Sequence, residues 1–302
     1  MKYSIAVLVV TYNRLTLLKE CINALRMQTY RFDSLFVINN GSTDGTEEWL
    51  SSQKDLKIIT QQNSGGAGGF HTGIKAAMEE NFDYLWLMDD DVIPLSDALE
   101  QLIKVKESNT DFSFLASLVK GKNGNIINVP VLNSDKSLDT NYPVWADKFE
   151  SGLIKLQQAT FVSILVNTAT IKKVGLPIKE FFIWGDDYEY TARLSAITPA
   201  YFVGSSVVRH MRALEKSPAL NEEVEDNRIK FHFYAVRNNV YLIKQNNTLI
   251  KRIFKCLTYP VFMIKSIIGS RKTVKKINVI LKGFIAGIFF NPDIEYIDTK
   301  NI

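Results

Sequence analysis

The run Ile5-Ala6-Val7-Leu8-Val9-Val10 constrains the fold more than any other segment. Six consecutive apolar residues leave no polar face, so the run suits a strand covered on both sides, the environment of a parallel sheet. It is too short for the apolar part of a secretory signal. It also passes straight into Thr11-Tyr12-Asn13-Arg14 without a cleavage site. Ser34–Ile38, Leu56–Thr60 and Tyr84–Met88 read as further strands. Helical apolar spacing separates them over Leu15–Met27, from Thr46 to Ser51, and over residues 70–80 after a glycine cluster. Strands alternating with helices predict a mostly parallel sheet flanked by helices. Ligands of such sheets bind at the carboxyl ends of the strands, where the polar clusters of this chain fall. Residues 95–105 read as another helix, 120–150 as loop, Ala159–Asn167 as a strand and Thr170–Val174 as a short helix.

A chain of 302 residues, 46% hydrophobic, fits one large α/β domain with an appendage. Charge marks the appendage. Residues 227–292 hold 13 Lys and Arg and no Asp or Glu, leaving 23 basic and 32 acidic residues elsewhere. The expected division is therefore a catalytic domain over 1–226 and a basic, mainly helical region over 227–302. A cationic end on an acidic body points to a negatively charged partner surface. It carries no nucleic-acid recognition motif, and its cations alternate with Ile, Phe, Leu and Val. An anionic membrane surface is the expected partner, with a packed helical subdomain or a homo-oligomer contact as the alternative. Cys21 and Cys256 belong to no metal or disulfide pattern, which fits a reducing cytosol. No apolar run reaches the roughly 18 residues of a spanning helix. The expected location is cytoplasmic, peripheral at the inner membrane face.

Four clusters carry chemistry. Asp89-Asp90-Asp91 follows the apolar strand Tyr84–Met88; three adjacent carboxylates repel one another unless a cation lies among them, and a hard divalent ion fits. A solvated turn is the alternative. Trp184-Gly185-Asp186-Asp187-Tyr188-Glu189 is a second acidic segment, able to take a proton from a hydroxyl beside a flat indole face, or simply an acidic helix start. Asn63-Ser64-Gly65-Gly66-Ala67-Gly68-Gly69-Phe70 lets backbone N–H groups approach a diphosphate, though flexible connectors look alike. His210, one of three histidines, would by itself more often be a satisfied structural residue than a ligand, and only the company of the acidic clusters changes that.

Taken in order, these segments resemble the GT-A-fold, family 2 glycosyltransferases, and within them the galactofuranosyltransferase branch. Thr11-Tyr12-Asn13-Arg14 resembles the first uridine-contacting loop and Asn39–Thr46 the second. The glycine run, the Asp triplet, Trp184–Glu189, His210 and Tyr234-Ala235-Val236-Arg237-Asn238 follow in family order. The resemblance spans roughly residues 4 to 240. It implies that Thr11, Tyr12 and Arg14 line a uridine pocket. Asn39 stands where the family usually has Asp against the uracil ring. Gly65, Gly66 and Gly68 approach the donor, Asp89 contacts ribose or phosphate with Asp90 beside it, and Asp91 and His210 hold Mn2+ or Mg2+. Asp187 is the implied base, with Trp184, Asp186 and Glu189 at the substrate.

The activity this implies is inverting, metal-dependent transfer of galactofuranose from UDP-galactofuranose to a glycan or lipid-linked glycan in bacterial-type polysaccharide synthesis. A rhamnosyltransferase using a dTDP-sugar shares most of the elements. A nucleotide-sugar-binding scaffold without catalysis is the non-enzymatic alternative, which the retention of Asp91, Asp187 and His210 disfavours.

Overall fold

A computed structural model describes residues 3–108, 110–212, 215–216, 219–245 and 248–297. In chain order the elements are β1 (Ile5–Thr11), α1 (Leu15–Arg26), β2 (Ser34–Asn39), α2 (Thr46–Ser51), β3 (Lys57–Thr60), α3 (Gly65–Met78), β4 (Tyr84–Asp89) and β5 (Val92–Pro94). There follow α4 (Ala98–Glu107), β6 (Phe114–Gly121), β7 (Val131–Leu132), β8 (Leu153–Gln158), β9 (Ile164–Asn167), α5 (Thr168–Val174), α6 (Asp186–Ile197) and β10 (Ala200–His210). Three helices close the order, α7 (Asp226–Gln245), α8 (Leu249–Ile267) and α9 (Thr273–Phe289).

The strands form one mixed sheet in the order β3-β2-β1-β4-β9-β6-β10-β8-β7, with β5 paired to β10. β3, β2, β1 and β4 are mutually parallel, as are β6 and β10. β9 enters antiparallel between β4 and β6. β1 sits inside the parallel half and is buried along its whole length. Strand periodicity sends Ile5, Val7 and Val9 into the core layer shared with Leu18, Ile22 and Leu25 of α1. Ala6, Leu8 and Val10 enter the layer shared with Phe70 and Ile74 of α3. An unbroken apolar run is what such two-sided burial demands.

The glycine cluster behaves differently from expectation. It is not a turn ahead of a helix from residue 70; α3 already starts at Gly65, whose φ is +74°. The reason is close packing on the sheet. A Cβ on Gly69 would lie 2.4 Å from Val10 Cγ1, and one on Gly73 2.3 Å from Leu8 Cδ1. The expected strand over Ala159–Asn167 is realised only in its second half, as β9 from Ile164; residues 159–163 form a break after β8, which ends at Gln158. The break places Ser163 inside a buried polar chain. Trp86 Nε1 donates to Ser163 Oγ (3.0 Å), Ser163 meets Ser117 (2.8 Å), Ser117 meets Ser206 (2.8 Å), and Ser206 Oγ donates to the Ala98 carbonyl (2.9 Å). Each buried hydroxyl is satisfied, and the chain links β4, β6, β10 and α4.

The structure divides into two compact units. The first is Met1–Lys179, Asp187–Glu215 and Ile294–Ile302, and it holds the whole sheet. Its last segment is tied to it by the Glu295 carbonyl, which accepts from Leu176 N at 2.8 Å, and by the Glu295 carboxylate, which meets Lys75 Nζ at 2.6 Å and His71 Nε2 at 3.0 Å. Lys75 in particular, with His71 and Lys179, holds that carboxyl below its usual range against the opposing effect of burial.

The second unit is Glu180–Asp186 with Lys216–Asp293. Its core is Leu220, Ile229, Val236, Ile267 and Ile280. Gly283 and Gly287 lie one turn apart on α9, and a Cβ there would come 2.8 Å from the Phe233 carbonyl and 2.6 Å from Val240 Cβ respectively, so α9 seats directly on the backbone of α7. Lys276 is fully buried but not unpaired: its Nζ donates to the Asn221 carbonyl at 3.0 Å and to Ser270 Oγ at 3.1 Å. One side of α8, with Tyr259, Met263, Ile264 and Ile267, packs on the core, while Ile250, Phe254, Leu257 and Val261 are exposed on another. Among the described residues no helix is long and apolar enough to cross a membrane.

Candidate functional site

The carboxyl ends of β1, β2 and β4 are in register: Val10 pairs with Asp89 and Thr11 with Asn39. The turn from β4 into β5 carries the Asp triplet, and β5 pairs with the end of β10 so that Val92 faces His210. Met211 N closes the arrangement by donating to the Asp91 carbonyl at 2.7 Å. Topology thus joins residues more than a hundred positions apart.

The three acids have different surroundings. Asp90 is buried and organises the loop after β1: Thr11 Oγ1 donates to it at 2.8 Å, Tyr12 N at 3.3 Å and Arg14 Nη1 at 3.2 Å. Asp91 Oδ2 accepts from Arg14 Nη1 at 2.6 Å. Asp91 Oδ1 is buried with no hydrogen-bond donor aimed at it, although His210 Nε2 lies 3.1 Å away. The other ring nitrogen of His210, Nδ1, meets Asn128 Oδ1 at 3.0 Å. A proton on Nδ1 suits that contact and leaves the Nε2 lone pair opposite the orphaned carboxylate oxygen. Two electron-rich atoms facing each other across a short gap fit a cation between them. Asp89 completes the set, and one ligand atom each from Asp89, Asp91 and His210 lie within 4.8 Å of one another. Two carboxylates and an imidazole are a donor set for Mn2+ or Mg2+.

Electrostatics agree. Burial first, then the Asp91 charge, pushes Asp89 up to about 7, partly offset by His210 and Arg14. Burial raises Asp90 to about 6 despite Arg14. Asp91 stays below its ordinary value: burial opposes ionisation, but a protonated His210 ring facing Oδ1, and then Arg14, outweigh it; with the ring neutral and its proton on Nδ1, Arg14 alone opposes burial. One guanidinium does not compensate the cluster, and a bound dication would.

The two loops expected around uridine are laced together. Thr43 N donates to Asn13 Oδ1 at 2.7 Å, Asn13 N to Ser42 Oγ at 3.0 Å, and Leu15 N to Asp44 Oδ2 at 3.0 Å. Asn13 has φ +53°, a conformation asparagine tolerates. Tyr12 is 45% exposed above this platform. Asn39 is fully buried, its Oδ1 accepting from Ser42 N at 3.0 Å, so it braces the second loop from inside. Gly66 stands at the start of α3 with open space where a Cβ would be; Gly68 is backed by Ser64, where a Cβ would fall 2.2 Å from Oγ. Asn40 Nδ2 donates to the Gly65 carbonyl at 2.7 Å, tying the glycine run to β2.

The second acidic segment is the start of α6. Asp187 and Glu189 lie in its first turn and belong to the first unit, while Trp184 and Asp186 belong to the second. Both carboxylate oxygens of Glu189 are held by Arg193, at 2.7 and 2.9 Å; the same guanidinium donates to the carbonyls of Val174 and Leu176. That fork gives Glu189 a bracing role. Ahead of α6, Phe182, Trp184 and Gly185 have φ of +65°, +63° and +91°. Positive φ at two aromatic residues costs of order 1–3 kcal/mol each and persists only where surroundings enforce it. The sequence assigns no individual role to Asn128 or to Asn40, the latter lying within the Asn39–Thr46 loop. Asn128 falls in the loop-rich stretch 120–150, and nothing local marks it as the partner of a histidine 82 residues away.

Fold and site together define an α/β enzyme scaffold with a cluster of two carboxylates and an imidazole at the ends of its parallel strands. The sequence profile of Glycosyl transferase family 2 matches residues 6–163, and the chain belongs to that family and is a glycosyltransferase. Galactofuranosyltransferase GlfT1 of Mycolicibacterium smegmatis is 25% identical over 264 residues, 80% of this chain and 83% of that protein. The GlfT1 of Mycobacterium tuberculosis is 27% identical over 210 residues, 64% of this chain and 65% of that one. Among solved structures, S. aureus TarS superposes with a TM-score of 0.54 at 18% identity, over 89% of this chain and 44% of that one. GalNAc-T7, solved with UDP, GalNAc and Mn2+, gives 0.56 at 13% identity, over 84% and 54%. The chain thus spans about half the length of these solved structures, whose likeness establishes the GT-A fold.

Proposed function

We propose that the chain transfers galactofuranose from UDP-galactofuranose to a glycan or lipid-linked glycan, with inversion at the anomeric carbon. The observation that carries this reading is the Asp89, Asp91 and His210 group, with its orphaned carboxylate oxygen, beside the Thr11–Arg14 loop. The similarity to two galactofuranosyltransferases supports the choice of donor. Asp91 and His210 would hold Mn2+ or Mg2+, with Asp89 toward the donor's ribose and phosphates. A divalent ion there supplies charge neutralisation for the departing diphosphate. Tyr12 and Arg14 flank the base and phosphates. Thr11 and Asp90 fix that loop, Asn39 fixes its neighbour, and Gly65, Gly66 and Gly68 give the donor close backbone approach.

Asp187 takes the proton from the acceptor hydroxyl. That oxygen attacks the anomeric carbon opposite the bond to the diphosphate, which leaves with the bonding electron pair as UDP. Trp184 offers a flat face to a sugar ring, and Asp186 lies next to the base in the chain. Removing a general base costs about 10²–10⁴-fold in rate. Asp187→Asn should therefore release UDP slowly from donor while still binding it. Turnover near wild type, with Asp186→Asn inactive, would reassign the base. Donor hydrolysis compared between UDP-galactofuranose and dTDP-rhamnose tests the sugar, and preference for the second would overturn it.

We also propose that the basic helical unit holds the enzyme at an anionic membrane surface, the cytoplasmic face, beside a lipid-linked acceptor. Support comes from α8, where Ile250, Phe254, Leu257 and Val261 recur at helical spacing on an exposed side and Lys251, Arg252 and Lys255 adjoin them. Such a helix can lie in the interface with its apolar face among acyl chains. Each basic residue close to anionic lipid adds about 1 kcal/mol. In flotation, the full chain should bind vesicles containing phosphatidylserine, lose them at high salt, and lose them in a Phe254→Glu, Leu257→Glu variant. Absence of binding to either anionic or neutral vesicles would refute the membrane role.

A further inference from the structure

Tyr234-Ala235-Val236-Arg237-Asn238 lies on α7, and none of the roles above uses it. Asn238 is almost fully buried. Its amide Nδ2 donates to three backbone carbonyls of one loop: Phe181 at 3.0 Å, Ile183 at 3.1 Å and Trp184 at 2.8 Å. Two N–H groups serving three acceptors means that one is shared, a geometry available to a primary amide and to no apolar or acidic residue of that size. Arg237 fixes the amide's orientation. Its Nε and Nη2 donate to Asn238 Oδ1 at 3.0 and 2.9 Å, which leaves the NH2 group to face the loop. Nη2 also reaches the carbonyls of Glu180 and Phe181, and the guanidinium carbon sits 3.9 Å from the Phe290 ring centroid.

The loop so gripped is the one with positive φ at Phe182, Trp184 and Gly185. Around it, Phe182 stacks on Tyr234 at 4.6 Å, Phe181 meets Tyr241 edge-on at 5.4 Å, and Trp184 lies 4.8 Å from His232. Gly185 has ordinary contact distance to Phe181, Leu242 and Asn238, so glycine is needed there for its φ of +91° and not for space. A strained backbone held by one buried amide is over-determined, the condition under which such strain persists at functional loops. The next residues in the chain are Asp186 and Asp187.

We propose that Asn238, oriented by Arg237, is a positioning residue for the transfer reaction. It locks the 181–185 turn in its left-handed conformation and so sets the backbone path that leads into Asp186 and Asp187. This rests on the reading of Asp187 as base, and it goes beyond that reading by assigning the left-handed geometry of the loop to a residue outside the substrate contacts proposed above.

The test uses the full chain, with UDP binding measured by calorimetry and donor hydrolysis by UDP release. Asn238→Asp keeps the size but replaces the donating amide with an oxygen facing three carbonyls. Val240→Ala, two residues along the same helix at a fully buried position, controls for loss of packing. Small misplacement of a reacting group costs about 10²-fold, so Asn238→Asp should lower kcat by that factor while UDP affinity stays within about threefold. Gly185→Ala should reproduce the same split by straining the loop directly. Val240→Ala should lower thermal stability with kcat within about threefold of wild type. The inference is overturned if Asn238→Asp loses no more kcat than Val240→Ala at matched loss of stability, or if UDP affinity falls in step with kcat. An active Asp187→Asn beside an impaired Asn238→Asp would move the base elsewhere on the loop and leave the clamp standing. An inactive Asp187→Asn beside an active Asn238→Asp would remove the clamp alone.

Discussion

Replacing Asp91 with Asn separates the metal site from its neighbours. Asp91 has two tasks, one on each oxygen: Oδ2 neutralises Arg14 at 2.6 Å, and Oδ1 faces His210 Nε2 at 3.1 Å without a donor of its own. The substitution removes an anionic ligand and leaves the Arg14 cation beside the site, still tied to Asp90 at 3.2 Å. Loss of a ligand combined with an uncompensated cation should weaken Mn2+ binding at least about 100-fold, or roughly 2.7 kcal/mol. Asn128→Ala leaves all three ligands but frees the His210 ring, and loss of such an orienting partner typically costs about 10–100-fold in affinity. Asp90→Asn should change Mn2+ affinity less than about threefold, because that carboxylate organises the Thr11–Arg14 loop, yet it should weaken UDP binding. Counting free Mn2+ by electron paramagnetic resonance during titration measures all three without any sugar. Mn2+ binding by Asp91→Asn within about threefold of wild type would refute the assignment. So would an Asp90→Asn loss as large as that of Asp91→Asn.

Gly73→Ala should destabilise the chain by about 1–3 kcal/mol through overpacking against Leu8 and Ile38, visible as a lowered Tm; Gly66→Ala, with open space around it, should leave Tm unchanged and reduce donor affinity. The Glu295 contacts carry a pH dependence. Its carboxyl titrates below the ordinary 4.5, so its stabilising effect is present above that value and is lost as pH falls through the lowered one. Hydrogen exchange of the Leu176 amide, which donates to the Glu295 carbonyl, should accelerate as pH falls below the ordinary carboxyl range of Glu295. Gly175→Ala should accelerate it at every pH, because a Cβ there would lie 2.7 Å from that same carbonyl oxygen.

The parallel half of the sheet was legible because its strands are local apolar runs, each ending in a polar cluster. β6 and β10 were not, since their burial depends on neighbours distant in sequence, and the segment between β8 and β9, Ala159 to Ser163, mixes apolar and hydroxyl residues much as a strand does. The glycine run misled about local structure. Its spacing reads as a flexible turn, but Gly69 and Gly73 serve helix-to-strand contact with Val10 and Leu8. The Asp triplet was visible as a cluster, whereas the separate duties of Asp90 and Asp91 required the Thr11, Arg14 and His210 contacts. Asn128 and Asn238 illustrate a general limit: a single amide acts through backbone and ring atoms brought to it by the fold, and no spacing rule announces it.

The measurement that tests the central claim most directly is UDP release from UDP-galactofuranose with Mn2+ present, repeated after chelation, with the anomeric configuration of the transferred sugar read by NMR. The account predicts release that depends on the ion, disappears in Asp91→Asn, and yields inverted product. Full release after thorough chelation, or a product of retained configuration, would contradict it.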